Sequence, residues 1–184
     1  MAPRQLLILD LDETLVFAAS QPLARPADFR SGPYHVYRRP HLNRFLATAS
    51  DWFDLAVWSS ASSSYVHDVV ANVFGTSNTL QFVWSCDRCT RRSDVEMQEL
   101  YYAKNLSKLR KKGFKLERIL MIDDSPEKLS QHYGNHIRVL PFVGDESDTE
   151  LRDLLPFLDQ LRTADNVRRI EKRFWRNQPM IRVQ

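Results

Sequence analysis

No stretch of the 184-residue chain approaches the roughly 18 consecutive apolar residues of a membrane span. No internal repeat recurs, which sets aside solenoids and propellers. The opening MAPRQLLILDLDETL has charge inside its apolar run and no small-residue cleavage pattern after it. It does not read as a secretory signal, so an intracellular location, cytoplasmic or nuclear, is expected. Cysteine is confined to Cys86 and Cys89, in SCDRC. A single CxxC is at most half a zinc site, and this one lacks the helix start near a first strand that thioredoxin-like chemistry needs. Structural cysteines, redox chemistry and metal binding stay open in that order. Neither sign of charge dominates: 26 Lys and Arg against 23 Asp and Glu leave +3, which is no argument for a specific nucleic-acid partner.

Hydrophobic residues make up 43% of the chain, enough for a real core, and the length suits one domain over 1–184. Leu6–Leu9, 53–58, Leu80–Trp84, 118–122 and 137–140 read as core strands. Tyr34–Tyr37 predicts a strand of a small hairpin, after a Pro- and Ser-rich loop over 18–33. Pro40 suits a first helical turn, and Leu42, Phe45, Leu46 and Ala49 recur at helical spacing. Tyr65–Val73 predicts a second helix. Ser93 with Glu96 resembles a capping box and predicts a short helix toward Tyr102. Pro126 predicts another helix start, capped by Asp124 or Ser125. Leu151, Leu154, Leu155, Leu158 and Leu161 form an apolar stripe that Pro156 should kink or restart. Residues 162–176 concentrate Arg162, Arg168, Arg169, Arg173, Arg176 and Lys172 against Asp165 and Glu171. They predict a basic C-terminal helix, held by Val167, Ile170 and Phe174, with 162–184 as a basic tail open to an anionic partner. Trp52, Trp58 and Trp84 suit core packing. Phe29, Tyr34 and Tyr37 are candidates for a peptide groove.

Alternating strands and helices predict an α/β domain with a Rossmann-like, largely parallel sheet flanked by helices. Ligands of such sheets collect at the carboxyl ends of the strands. Asp10 and Asp12, Ser59 and Ser60, and Asp123 and Asp124 each follow a predicted strand. Clustered carboxylates repel unless a cation joins them, and Asp10 with Asp123 and Asp124 would make a hard oxygen site for Mg2+. A carboxylate beside that ion can attack phosphorus, and a second one can move the protons. Ser59 Oγ and nearby amides would hold phosphoryl oxygens, and Lys104 would add fixed positive charge.

Asp10-Leu11-Asp12-Glu13-Thr14 resembles the DxDxT motif of the haloacid-dehalogenase-like phosphatases. YRRPHLNRFL at 37–46, VWSSAS at 57–62, KNLSKL at 104–109 and ILMIDDSP at 119–126 narrow the likeness. They resemble the branch that holds RNA polymerase II C-terminal-domain phosphatases and small phosphatases related to them, which are NLI-interacting-factor-like. The likeness covers about residues 6–161. It implies Mg2+ dependence, a small hairpin insertion and no large cap domain. Asp10 matches the nucleophile and a metal ligand. Asp12 matches the general acid/base and gives the metal its carbonyl. Asp124 matches a further metal ligand, with Asp123 beside it or near the lysine. Thr14 matches the residue that steadies the first loop, Ser59 the phosphate-binding hydroxyl, with Ser60 next to it, and Lys104 the lysine that neutralises an aspartyl-phosphate. The implied activity is hydrolysis of phosphoserine and phosphothreonine in proteins. A small-molecule or phosphotyrosine phosphatase of the same fold is the alternative, and a non-catalytic scaffold docking through 162–176 a further one. Residues 18–33 do not look like a familiar specificity element of the family, and the segment from Cys89 to Lys104 is longer than usual; the segments 18–38 and 85–103 lie at the expected substrate rim.

Overall fold

The computed structural model describes residues 4–75, 80–94 and 99–177. In chain order the strands begin with β1 (Leu6–Leu9), β2 (Val16–Ala19), β3 (Phe29–Ser31) and β4 (Tyr34–Arg38). Helix α1 (Leu42–Trp52), β5 (Asp54–Trp58), α2 (Ser63–Phe74) and β6 (Leu80–Trp84) follow. The hairpin β7 (Thr90–Asp94) and β8 (Glu99–Ala103), then β9 (Ile119–Asp123), β10 (His136–Arg138) and α3 (Glu150–Leu161) complete the set. Five strands form a sheet in the order β10-β9-β1-β5-β6, and every pairing within it is parallel. The α/β reading holds.

The unbroken run LLIL in β1 has a simple cause. Alternate side chains of a strand face opposite ways, and both faces here are covered. Leu7 and Leu9 enter a core shared with residues of α1, α2 and α3, while Leu6 and Ile8 enter a second core with Leu106, Leu109 and Leu116. A strand buried on both sides has no polar face to show in its sequence. Helix α1 buries the predicted stripe of Leu42, Phe45, Leu46 and Ala49. Pro40 lies just before it, and His41 occupies the N-cap in the left-handed region at φ 65°. Pro156 lies inside α3 without dividing it, so the expected restart does not occur. Among the described residues no helix is long and apolar enough to cross a membrane.

Three further expectations are corrected. The stretch predicted as loop over 18–33 contains the end of β2 and all of β3, which complete an antiparallel sheet in the order β2-β4-β3. The helix predicted after Ser93 is a strand: Ser93 pairs with Leu100, Arg92 with Tyr101 and Thr90 with Ala103. Glu96 lies outside the described residues. Tyr101, Tyr102 and Thr90 favour a pleated surface, and the cross-strand ladder outweighs a local capping signal. Finally, 162–176 is not a helix. Chain direction changes after Leu161, and Asn166 accepts a hydrogen bond from the Arg168 N–H at 3.0 Å, the local bond that competes with helix. Two short 3-10 turns, Val167–Arg169 and Trp175–Asn177, anchor this strap through buried Val167 and Trp175. Phe174, expected to pack, is 61% exposed.

Candidate active site

The carboxyl ends of β1, β5 and β9 lie side by side, because Leu9 pairs with both Val57 and Ile122. The residues just beyond them are therefore brought together. Asp10 extends the ladder by one step, donating its N–H to the Ile122 carbonyl at 3.0 Å. The chain then turns sharply. The Leu11 carbonyl accepts from the N–H groups of Thr14, Leu15 and Val16, and Glu13 takes φ 59°. Asp12 thus leaves the strand direction, and its carboxylate accepts from the Tyr65 hydroxyl of α2 at 2.5 Å.

Lys104, wholly buried, follows β8 and donates to Asp123 Oδ2 at 2.6 Å, with Asp10 Oδ1 2.9 Å away. Lys128, in the irregular 3-10 segment Pro126–Asn135, reaches within 3.7 Å of Asp10 Oδ2. Asp10, Asp123 and Asp124 each offer an oxygen within 4.8 Å of the others. Both oxygens of Asp123 are in use, because Oδ1 accepts from the Ser125 N–H at 3.0 Å. Ser125 has no side-chain cap of its own, so the predicted cap is replaced by this contact. Asp10 Oδ2 and Asp124 Oδ1, by contrast, are buried with no hydrogen-bond donor among the described residues. Orphaned buried carboxylate oxygens are costly. A hard divalent cation such as Mg2+ takes oxygen ligands of this kind, so the donor set fits that ion.

The electrostatics point the same way. Burial raises the Asp10 pKa, Asp123 raises it further, and Lys104 and Lys128 oppose them. Burial pushes the Asp12 carboxyl up to about 6, against the lowering effect of the Tyr65 hydrogen bond. Burial pulls the Lys104 ammonium down, but Asp10 and Asp123 outweigh it and its pKa ends raised.

Ser59 is buried at the end of β5, with its N–H donating to the Trp84 carbonyl and its Oγ accepting from the Ala61 N–H at 3.0 Å. Ser60 beside it is half-buried. Thr14 lies wholly buried under the turn, and its hydroxyl has no partner among the described residues. Arg39 holds that turn: it donates to the Thr14 carbonyl at 3.1 Å and to both oxygens of Asp148 at 2.9 and 2.8 Å. Of the three groove candidates only Tyr34 is well exposed. It meets Tyr65 edge-on at 5.9 Å, and the two border an open groove of about 300 Å³. Tyr37 is buried, its hydroxyl accepting from the Leu23 N–H at 2.7 Å. Cys86 and Cys89 are free thiols on a short turn beside this edge, and Cys89 Sγ lies 3.9 Å from the Ser59 carbonyl. Tyr65, Lys128 and Arg39 were missed as site residues. No spacing in the sequence marks them, because each arrives from a different element.

Comparison with known proteins agrees with this geometry. The model of the NLI interacting factor-like phosphatase family matches residues 5–168. The small phosphatase 1 of the RNA polymerase II polypeptide A carboxy-terminal domain, from Homo sapiens, is 32% identical over 168 residues, covering 87% of this chain and 60% of that protein. The CTD nuclear envelope phosphatase 1 homolog of Drosophila melanogaster is 31% identical over 188 residues, covering 94% of this chain and 74% of that one. The CTD small phosphatase-like protein 2 of Dictyostelium discoideum is 30% identical over 174 residues, or 91% of this chain but 29% of its own length. The chain thus spans 29% and 60% of the Dictyostelium and human relatives. In fold, it resembles the fission yeast RNA polymerase II CTD phosphatase Fcp1 bound to beryllium fluoride, with TM-score 0.58 at 21% identity, over 76% of this chain and 42% of that one. A haloacid-dehalogenase-superfamily hydrolase of Geobacter sulfurreducens gives TM-score 0.51 at 15% identity, over 85% of this chain and 99% of that one. The chain belongs to the NLI interacting factor-like phosphatase family.

Proposed function

We propose that this protein is a Mg2+-dependent phosphatase that hydrolyses phosphoserine and phosphothreonine in intracellular proteins. The observation that carries the reading is the buried meeting of Asp10, Asp123, Asp124 and Lys104 at the carboxyl edge of the sheet, with donor-free oxygens on Asp10 and Asp124. An Asp10 carboxylate oxygen attacks phosphorus, and the bond from phosphorus to the seryl oxygen breaks. Asp12 gives its proton to that leaving oxygen, and a pKa near 6 keeps an acid form available close to neutral pH. Asp12 then takes a proton from water, which attacks phosphorus and frees Asp10. Lys104 balances negative charge on Asp10 throughout, and the Tyr65 hydroxyl holds Asp12 in place. Asp10, Asp124 and the Asp12 carbonyl would hold Mg2+, with Asp123 beside them pinning Lys104. When bound, the ion supplies positive charge against the phosphoryl oxygens.

A protein substrate is supported by the openness of the edge. The insertions after β1 and β6 are only small sheets of three and two strands. The relatives are named as phosphatases of a polymerase C-terminal domain or of the nuclear envelope. Ser59 and Ser60 would line the phosphoryl pocket. The test is hydrolysis of an aryl phosphate with and without Mg2+, beside a phosphopeptide library and a metabolite panel. We expect turnover only with Mg2+, and phosphopeptides preferred. Asp10→Asn should lower kcat by at least about 10⁴-fold with the fold intact. Normal turnover in that variant overturns the nucleophile assignment, and a preference for metabolites overturns the substrate class.

A further inference from the structure

On the far side of β10 lies a second concavity, of about 520 Å³, that the reaction does not use. Its wall is formed by the strap 168–174 against the segment that carries Lys128. Arg138, Arg168 and Arg169 line it and are exposed, and their guanidinium groups have no acidic or hydrogen-bonding partner among the described residues. Tyr133 and Phe174, 80% and 61% exposed, stand in the same wall. The acidic residue there, Glu171, is turned into the strap itself: it accepts from the Arg173 side chain at 2.6 Å and from the Lys172 and Arg173 N–H groups. The cavity therefore presents uncompensated positive charge.

This is a built feature. Lys172 is buried and inverts into the strap, donating to the carbonyls of Gly134 at 2.9 Å and Ile170 at 2.7 Å, and also to that of Val167. Those bonds aim the neighbouring arginines outward.

The cavity is also aligned with the active site. Arg138 pairs with Asp123 across the β9–β10 ladder, and His136 on the same face of β10 donates from Nε2 to the Asp123 carbonyl at 2.8 Å. Two strand spacings separate β10 from β1, on the order of 10 Å, which about three residues of extended peptide would span. Arginine forks bind carboxylate and phosphate in pairs, and exposed aromatic rings suit peptide contact. A membrane-facing element would instead be a flat, amphipathic basic helix, and the strap is not helical. We propose that this cavity is an exosite for an acidic stretch of the phosphoprotein substrate, about three to six residues from the phosphoserine. The inference rests on the protein-phosphatase reading above.

The test compares two phosphopeptide sets with the same phosphoserine, one carrying Asp and Glu three to six residues away on either side and one neutral. Wild type should cleave an acidic peptide with kcat/KM roughly tenfold higher, through KM, and lose the preference as salt rises from about 0.05 to 0.5 M. The Arg168→Ala/Arg169→Ala variant should bring the ratio to about one while kcat on the neutral peptide and on aryl phosphate is kept. A milder variant, Arg169→Gln, guards against misfolding and should halve the preference or more. Equal rates on both peptide sets overturn the exosite and leave the protein-phosphatase reading standing. Aryl phosphate turnover without any phosphopeptide turnover overturns both. Binding of the strap to phosphatidylserine vesicles, with no peptide preference, assigns the cavity to a lipid surface and also overturns it.

Discussion

Lys104 and Lys172 are each buried to within a few per cent, both bonded to the segment Pro126–Asn135, and their surroundings differ in kind. Lys104 meets two carboxylates, and its pKa rises because Asp10 and Asp123 outweigh burial. Lys172 meets backbone carbonyls, and burial lowers its pKa to about 8, with Glu171 pulling back and Arg168 pushing further down. Burial alone does not tell the cation proposed for catalysis from a structural one. The partners do: mobile charge on carboxylates can be exchanged for substrate charge, whereas neutral carbonyls only fix a chain path.

The largest break in that comparison comes from Lys104→Met. Turnover of aryl phosphate should fall by roughly 10²–10³-fold, since a fixed charge beside the reacting carboxylate is lost. Steady-state kinetics at saturating Mg2+ checks it, and unchanged kcat would reduce Lys104 to a packing residue. Lys172→Met should do the reverse. It removes the Lys172 donor from the Gly134 and Ile170 carbonyls, while that of Val167 keeps the Ile170 N–H, and should cost about 1–3 kcal/mol of stability in urea unfolding, with kcat on aryl phosphate kept. Loss of kcat with full stability would erase the distinction. The smallest effect is in pH. Lys172 titrates at about 8 in the folded chain and near 10.5 when unfolded, so between these values the unfolded chain holds more protons. Wild-type stability, measured relative to Lys172→Met, should therefore rise from pH 8 toward 10.5 and stay level below pH 8.

The same pair shows what the sequence carries and what it does not. Lys104 is legible because KNLSKL resembles the family's lysine stretch and joins Asp10 and Asp124 in a recognisable order; the strand before it is not, since Ser93 predicts a helix there. Lys172 reads as one more surface cation of a basic helix, because its Gly134 acceptor becomes a neighbour only when the strap meets Pro126–Asn135. Asp10 was placed at the strand end from its apolar run, and the structure puts it there. Tyr65 could not be paired with Asp12 from spacing, since the contact joins α2 to a turn 53 residues away. Ser93 misled for a related reason. A capping pattern is a local signal, and β8 supplied long-range partners that no local signal records.

The strap has a consequence beyond charge. A sheet ends at strands whose outer backbone groups are unpaired, and such rims recruit foreign strands. Here β10 is only three residues long, and its Arg138 carbonyl accepts from Trp175 Nε1 at 2.8 Å and from the Arg176 guanidinium at 3.4 Å. Glu150 of α3 accepts from the same guanidinium and from the Leu140 N–H, so the rim is sealed by side chains. The chain's last described turn thus occupies backbone acceptors that a foreign strand would need, along the margin of the sheet nearest Asp10 and Asp123.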